Sequence, residues 1–418
     1  MTTSLPLTLV VSTVLGLPIA PAHAAAGTPD TDDRFHGRIA YSADGNHNDP
    51  DDWIASPVTL AILAEAGLKD RLVHFDYNCI LPLTNPDWEK THAESVLGAV
   101  DRYGFDKSRF FDCRKNADAA VDDIAKAIDD SSAENPLYFI IAGPMEVPYQ
   151  GIQKSNPGKR KFVYCISHSR WNDGFASKYK FTFTKRSVIE QDVRWVQIRD
   201  QNRLLSFGRY GTPSPSEDFK PYFWLRDARD AKVRWLWERM LVSTRPDPSD
   251  AGMTWFLATG DEECDPSKLK RLLDDHRPLT PVAARKQVRI EAENFRHLEG
   301  FVLEDRKDKN ASHQLNVRLG DGVTRGHIRT HFDEPFTRAT GRYDVVIRYL
   351  DEKGLRCRYR MFVNGAARGE TWTSAGEGRG WTSHTLRGVE VRTGDEIRMD
   401  ADGAPGRLDY VQLDFVEP

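Results

Sequence analysis

The chain has 418 residues, of which 58 are Lys or Arg and 62 are Asp or Glu, so its formal net charge is −4. A chain this close to neutrality lacks the basic surface of a general nucleic-acid binder, and we expect no nucleic-acid partner. Hydrophobic residues make up 39% of the sequence, which is enough for packed cores, and the length predicts two or three domains.

The N-terminus has the pattern of a secretory signal peptide. Leu5–Leu17 is uncharged and mostly apolar, and Ala22-His23-Ala24 places small residues where a signal peptidase cleaves. We therefore predict a signal peptide over residues 1–24 and a leader over residues 25–34. Since no later segment approaches the length of a membrane span, we expect a secreted or periplasmic protein that does not bind a membrane.

Strand-like and helical segments alternate over residues 35–275, which predicts an α/β domain with a parallel sheet and crossover helices. The predicted strands are Arg38–Tyr41, Leu72–Tyr77, Leu137–Ile141 and Phe162–Ser167, and the predicted helices are Ile54–Gly67, Lys90–Tyr103 and Asp118–Asp129. Ligands of such sheets bind at the carboxyl ends of the strands, so the loops after strands are the candidate functional positions.

The loop Asp44–Asp52, directly after the first strand, carries four carboxylates within nine residues. These charges repel one another unless a cation or protons relieve them, and oxygen ligands in a loop favour a hard ion such as Ca²⁺. The alternative is a solvated acidic turn in which Asp51 or Asp52 caps the next helix. The loop by itself does not decide between these interpretations.

Several pieces of sequence, taken in chain order, resemble the nucleoside hydrolases. They are Pro50-Asp51-Asp52, Asn78 after the second strand, Ile141–Met145, and Asp250 within Asp247–Thr254. The resemblance implies a nucleoside-hydrolase-like domain with a Ca²⁺ site. Its ligands would be Asp51, Asp52, Asp250 and the main-chain carbonyl of Ala142, and Asn78 would hold sugar hydroxyls.

The same resemblance implies hydrolysis of a glycosyl bond through an oxocarbenium-like transition state. A neighbouring carboxylate, Asp49 or Asp44, would take the proton of the attacking water. Two positions differ from the family pattern: His47 stands where the family has its leading Asp, and no His is adjacent to Asp250 in the sequence.

The segment Cys165–Asp173 follows another predicted strand and therefore belongs to the same edge of the sheet. The Trp171 ring could cover the apolar face of a sugar, and the polar side chains could bind its hydroxyls. We predict substrate binding by His168, Trp171, Asn172 and Asp173. A Cys165–His168 thiol nucleophile is an alternative, although a Cys within an apolar strand more often packs in the core.

The five cysteines, Cys79, Cys113, Cys165, Cys264 and Cys357, include no C-x-x-C pair. This excludes a disulfide scaffold and a zinc ribbon. In an oxidising compartment, one or two bridges among the first four cysteines are possible. Cys357 is expected to be a buried thiol.

Residues 276–286 contain two prolines and are predicted to be a linker. After them the helical spacing disappears, and short alternating strands separated by Gly and Asp turns predict an all-β sandwich over residues 287–418. The predicted strands are Val288–Glu293, Tyr343–Tyr349, Arg356–Val363, Val389–Val391 and Leu408–Phe415.

The first and last strands of this sandwich, Ile290–Phe295 and Gly406–Val411, resemble those of calcium-containing carbohydrate-binding modules. The resemblance implies a structural Ca²⁺ held by Glu291, Glu293 and a late Asp, either Asp409 or Asp414. Sugar-stacking candidates in a Gly-rich loop are Trp372 and Trp381. The alternative is a structural sandwich without a ligand.

Together these patterns predict an exported, Ca²⁺-dependent hydrolase of a glycosyl bond in a carbohydrate or polysaccharide, with an attached carbohydrate-binding module. One alternative is hydrolysis of the N-ribosyl bond of nucleosides. A second alternative is a carbohydrate-binding protein without catalytic activity.

Overall fold

The computed structural model describes residues 36–47, 50–174, 183–209, 211–279, 287–305, 308–332, 340–403 and 405–417. The predicted signal peptide and leader, the candidate base Asp49, and positions 280–286 of the predicted linker lie outside the described residues. In the part that is described, no helix has the length and apolar character needed to cross a membrane.

The N-terminal α/β domain is built on one six-stranded sheet. Its strands are β1 (Arg38–Ala43), β2 (Leu72–Tyr77), β3 (Phe110–Asp112), β4 (Leu137–Ala142), β5 (Val163–Ser167) and β6 (Arg194–Gln197). They lie in the order β3-β2-β1-β4-β5-β6, and every neighbouring pair is parallel. The parallel α/β sheet expected from the sequence is thus confirmed.

Helices cover both faces of this sheet. They are α1 (Asp52–Glu65), α2 (Pro86–Tyr103), α3 (Cys113–Asp129), α4 (Glu146–Lys154), α5 (Pro157–Arg160), α6 (Arg170–Asp173), α7 (Lys185–Ile189), α8 (Asn202–Leu205), α9 (Phe223–Asp227), α10 (Ala231–Val242), α11 (Ala251–Thr259) and α12 (Pro266–Leu273). Ile39 and Tyr41 of β1 pack into a core with α1, α2 and α11, whereas Ala40 packs into a second core with α3 and α4. Coverage of both faces explains why most residues of the strands are apolar.

The C-terminal part is an antiparallel β-sandwich, which confirms the second half of the expected fold class. Its strands are β7 (Gln287–Glu291), β8 (His297–Glu299), β9 (Phe301–Asp305), β10 (Leu315–Leu319), β11 (Arg325–Phe332), β12 (Thr340–Asp351), β13 (Arg358–Val363), β14 (Ala366–Thr373), β15 (Gly380–Arg392), β16 (Asp395–Asp402) and β17 (Arg407–Glu417). One sheet has the order β15-β12-β17-β10-β9, with β7 also paired to β17, and the other has the order β14-β13-β16-β11-β8.

The disulfide bridges considered possible from the sequence are not formed. All five cysteines are buried and have free thiols. Four of them pack in the hydrophobic cores of the α/β domain and the fifth, Cys357, packs in the core of the sandwich. Their role in this structure is therefore packing.

His92 fixes α2 against the loops that follow β1 and β2. Its Nδ1 lies 3.0 Å from Oδ1 of Asn78, and its Nε2 lies 3.1 Å from Oγ of Ser56. The ring also leaves no room for a Cβ at position 45, where Gly45 has a φ of +37°. Burial, with a smaller effect from the charge of Arg239, lowers the pKa of His92 to about 3.

This buried imidazole predicts a loss of stability in mild acid. Below about pH 6.5 the unfolded chain binds a proton at His92 that the folded chain binds only near pH 3. As the pH is lowered from about 6.5 towards 3, His92 should therefore reduce the free energy of unfolding by roughly 1.4 kcal/mol per pH unit. Urea unfolding of wild type and His92→Gln at pH 7 and pH 5 measures the difference in slope, and the exposed His36 provides the control substitution His36→Gln. Equal slopes for wild type and His92→Gln would contradict the prediction.

Candidate functional site

The carboxyl ends of β1 and β4 form a topological switch point, because the strand order runs through β2 and β3 on one side and through β5 and β6 on the other. Open parallel sheets bind ligands in the crevice at such a point. Asp44 follows β1 and Gly143 follows β4, and a Cβ on Gly143 would lie only 3.1 Å from Cβ of Asp44. Ala142, the last residue of β4, therefore ends beside the acidic loop.

The acidic loop folds back onto the start of α1. Oδ2 of Asp52 accepts a hydrogen bond of 2.8 Å from the backbone N–H of Gly45, and Nε1 of Trp53 donates one of 2.7 Å to the Gly45 carbonyl. Asp51 occupies the N-cap position of α1, but its side chain makes no capping hydrogen bond. The capping alternative therefore accounts for the position of Asp51 but not for a capping contact of its carboxylate.

The charges of three of the predicted carboxylates act on one tyrosine hydroxyl. Burial raises the pKa of Tyr41 far above its usual value, and the negative charges of Asp250, Asp52 and Asp51 raise it further. Asp250 reaches this point from the N-terminal end of α11, whereas the other two come from the loop after β1. The fold thus gathers residues that lie about two hundred positions apart in the sequence.

His168, immediately after β5, contacts this group through Asp250. Its Nε2 lies 2.6 Å from Oδ1 of Asp250, and its Nδ1 lies 3.6 Å from Oδ1 of Asp200, which follows β6. Burial by itself would lower the pKa of His168, but the hydrogen bonds and charges of the two Asp residues outweigh it and raise the pKa to about 9. The imidazole is therefore protonated at neutral pH.

The Asp250–His168 contact was missed in the sequence, where no His is adjacent to Asp250. The structure supplies the imidazole from a different strand, 82 residues away. Asp200 was missed as well. The signal that could have found both is their position directly after β5 and β6, since the carboxyl ends of parallel strands share one edge.

Asp44, a candidate base, and Asn78, a candidate sugar ligand, are both buried. Asp44, one of the two predicted bases, is only 1% exposed. Asn78 is fully buried, and its Nδ2 donates to the carbonyl of Glu89 and to Oδ1 of Asp112. Sugar binding by Asn78 stays a prediction, and in this structure its amide group is used within the fold.

The loop after β5 brings the other predicted substrate-binding residues to the edge. Trp171 is partly buried and, like Leu83, packs against Ile80. Asn172 and Asp173 are buried, and Oδ1 of Asp173 accepts a hydrogen bond of 2.6 Å from Oγ of Ser167.

The structure argues against Cys165 as a nucleophile. The side chain is fully buried in the core, and burial raises the pKa of its thiol. A thiol is nucleophilic as the thiolate, so Cys165 has a packing role.

The sandwich carries a second acidic cluster, formed by Glu291, Glu293 and His313, which we call the sandwich cluster. Ligand atoms of these three residues all lie within 4.8 Å of one another. Oε2 of Glu291 and both carboxylate oxygens of Glu293 are buried and have no hydrogen-bond partner. Burial raises the pKa of both Glu residues, and mutual repulsion adds to the rise for Glu291. These features fit a cation.

Asp409, one of the two candidates for the third ligand, pairs with other groups in this structure. Its Oδ1 accepts a hydrogen bond of 2.9 Å from the backbone N–H of Ser312, and its Oδ2 pairs with Arg348 at 2.6 Å. His313 lies beside the two Glu residues, and Asp409 is near enough for its charge to raise the pKa of Glu291. Burial lowers the pKa of His313 to about 4, helped by the charges of Lys185 and Arg170, so the ring is neutral at pH 7.

Only one of the two predicted sugar-stacking tryptophans reaches the surface. Trp372 lies in β14 rather than in a loop, packs in the sandwich core and stacks on His384 with ring centroids 4.2 Å apart. Its sugar contact stays a prediction, and in this structure its ring has a packing role. Trp381, in β15, is partly buried, donates from Nε1 to Oδ2 of Asp308 at 2.6 Å, and lies 5.6 Å from the Arg348 guanidinium.

The Ca²⁺ site expected at Asp51, Asp52, Asp250 and the main-chain carbonyl of Ala142 stays a prediction. Among the described residues, the sandwich cluster is the one group of three His, Cys, Asp or Glu residues with ligand atoms within 4.8 Å. At the sheet edge, the protonated His168 already neutralises Asp250 at 2.6 Å. In this structure, Asp250 and Asp200 lie on either side of the His168 imidazolium.

No protein-family model matches the chain. Over 242 residues it is 31% identical to the uncharacterized protein P22 of Formosa agariphila, and this alignment covers 54% of the chain and 84% of that protein.

The sandwich resembles carbohydrate-binding modules of solved structures. The family 35 carbohydrate-binding module of Clostridium thermocellum is 20% identical and aligns over 32% of this chain and 100% of that chain, with a TM-score of 0.27. The GH26-CBM35 β-(1,4)-mannanase of Podospora anserina is 21% identical over 32% of this chain and 29% of that chain, also with a TM-score of 0.27. Likeness at this level carries no information about the ligand of this chain.

The geometry around His168 predicts its titration. In Ca²⁺-free buffer the pKa of His168 should be near 9 in the wild type, and either Asp250→Asn or Asp200→Asn should lower it by about one unit or more, because each removes a negative neighbour. NMR titration of the imidazole resonances measures the shift, and Asp70→Asn, at an exposed position before β2, serves as the control. A wild-type value near 6.5 would contradict the arrangement.

Proposed function

The chain belongs to the same family as the uncharacterized protein P22 of Formosa agariphila, and we propose that it is a hydrolase that cleaves a glycosyl bond in a carbohydrate. The observation that carries this proposal is the meeting of Asp51, Asp52 and the Asp250–His168 pair at the switch point of the parallel sheet. The sandwich would be the carbohydrate-binding part, with Trp381 as its stacking residue.

The proposed chemistry follows from the charges at the edge. Cleavage of a glycosyl bond develops positive charge on the sugar and needs a proton on the leaving group. The carboxylates of Asp51 and Asp52 supply the negative charge, and the protonated His168 is the proposed proton donor. Asp49, in the same acidic loop, is the proposed base for the attacking water. We propose that the protein acts outside the cytoplasm, which rests on the sequence pattern of residues 1–24.

We further propose that the sandwich cluster binds Ca²⁺. Glu291 and Glu293 would hold the ion through carboxylate oxygens, the ligands that Ca²⁺ prefers, and His313 would lie beside it. When bound, the ion would neutralise two buried carboxylates and join the end of β7 to the turn Ser312–Gln314. The support for this proposal is the burial of carboxylate oxygens without hydrogen-bond partners.

Asp51→Asn should abolish turnover while leaving the fold intact, because it removes a negative charge proposed to act on the reacting sugar and keeps the shape of the side chain. We expect release of reducing sugar from a polysaccharide panel to fall by at least about 100-fold. Asp70→Asn is the matched control, since Asp70 is exposed at the opposite, amino end of the sheet.

The same assay separates the rival functions. Release of free base from a nucleoside panel, without release of reducing sugar from polysaccharides, would replace the proposal by nucleoside hydrolysis. Retardation of the protein in glycan affinity gels, without turnover of either panel, would show a binding protein and overturn the enzymatic proposal.

Removal of one carboxylate should abolish the effect of Ca²⁺ on stability. An ion that binds the folded chain alone stabilises it by about 2.7 kcal/mol at one hundred times its dissociation constant. We expect Ca²⁺ to raise the melting temperature of the wild type and to have no effect on Glu291→Gln. The control is Glu299→Gln, at a side chain of β8 that is 77% exposed.

A titration with Zn²⁺ is the companion measurement, because imidazole ligands favour zinc more than calcium. Stabilisation of the wild type by Zn²⁺ but not by Ca²⁺ would overturn the identity of the ion. An equal Ca²⁺ response in wild type and Glu291→Gln would overturn its location.

A further inference from the structure

Helix α7 of the α/β domain docks against the start of the sandwich through two basic side chains. Arg186 donates to the backbone carbonyls of Phe295 at 2.7 Å, Arg296 at 2.6 Å and Glu293 at 3.3 Å. Lys185 lies next to it and is only 5% exposed. A short helix of one domain thus reaches the backbone and the acidic side chains of the other.

The ammonium group of Lys185 has one counter-ion on each domain. Its Nζ lies 3.8 Å from Oδ2 of Asp173 in the α/β domain and 3.6 Å from Oε1 of Glu293 in the sandwich. Both carboxylates are almost completely buried. A buried ammonium is stable where buried negative charge compensates it, and at these distances it is shared between the two carboxylates rather than bound closely to either.

Glu293 is also a member of the sandwich cluster. The Lys185 ammonium and a bound divalent ion would therefore compete for its carboxylate. A divalent ion bound to Glu291 and Glu293 would lie a few ångströms from the Lys185 ammonium and would repel it. Asp173 provides the alternative position for that ammonium, since it already lies within reach of Nζ.

We infer that Lys185 is a built-in competitor of the cation and couples occupancy of the sandwich cluster to the sheet edge of the α/β domain. This inference rests on the cation site proposed above. Without the ion, Lys185 is shared between Asp173 and Glu293. With the ion bound, Lys185 pairs with Asp173 alone.

Asp173 connects Lys185 to the candidate catalytic edge through neighbouring residues at the end of β5. Asp173 accepts a hydrogen bond from Ser167, the last residue of β5, and the next residue is His168, which contacts Asp250 at 2.6 Å. A change in how tightly Lys185 holds Asp173 therefore acts on the loop that carries the imidazole. By linkage, whatever the edge binds through Asp173 alters the affinity of the cluster for the ion.

A double-mutant cycle on the full chain tests the inference by isothermal titration with Ca²⁺. Lys185→Met should tighten Ca²⁺ binding roughly tenfold or more, because it removes a positive charge beside the site. Asp173→Asn should weaken binding several-fold, although Asp173 lies on the other domain, because Lys185 then depends on Glu293 alone. In the Lys185→Met background, most of the effect of Asp173→Asn should disappear.

Two controls separate this coupling from simple damage to the junction. Arg186→Met loosens the same contact but leaves the Glu293 carboxylate untouched, so it should change Ca²⁺ affinity much less than Lys185→Met. Circular dichroism melts identify any variant that fails to fold, and a larger Ca²⁺-induced rise in melting temperature for Lys185→Met than for wild type is the second expected readout.

The outcomes distinguish the inference from the proposal on which it rests. If the wild type does not bind Ca²⁺, or if binding persists in Glu291→Gln, the proposed cation site at the sandwich cluster is overturned. Binding that requires Glu291 but is unchanged by Lys185→Met overturns the competition. An Asp173→Asn effect of the same size with and without Lys185 overturns the path through Lys185.

Discussion

Buried negative charge is the constraint to which both functional regions of this chain respond. A carboxylate removed from water must be paired, hydrogen-bonded or bound to a cation. At the sheet edge the imidazolium of His168 pairs with Asp250, and in the sandwich Arg348 pairs with Asp409. Lys185 is shared between Asp173 and Glu293, and Oε2 of Glu291 is buried without a hydrogen-bond partner.

Sheet topology decides which charges meet. In the order β3-β2-β1-β4-β5-β6, the loops after β1 and β4 are neighbours, and those after β5 and β6 extend the same edge. His168 and Asp200 are therefore neighbours because β5 and β6 are, and the N-terminal end of α11 adds Asp250. The chemistry proposed for the edge depends on this order, since no two of its contributing segments are adjacent in the sequence.

Local sequence patterns predicted the secondary structure and the order of its elements. Alternation of apolar strands and amphipathic helices predicted the parallel sheet, and the position of Asp51 and Asp52 after β1 predicted a place at its carboxyl edge. Such patterns did not predict which groups individual side chains contact. Trp372 alternates like its neighbours in β14, so its ring packs inward on His384, and Asn78 is held by groups from α2 and β3. These contacts depend on tertiary packing, which a single sequence does not encode in its spacing.

The same reasoning bears on whether the sandwich is a separable binding module. A module tethered only by a linker would present a polar, solvated surface to its neighbour. Here the α/β domain instead buries Lys185 against Glu293 and places the Arg186 guanidinium on three sandwich carbonyls. Desolvating an ammonium and a guanidinium is costly unless both domains supply their partners. The junction therefore stabilises one relative placement of the two domains, in which the sandwich cluster lies next to the loop that carries His168.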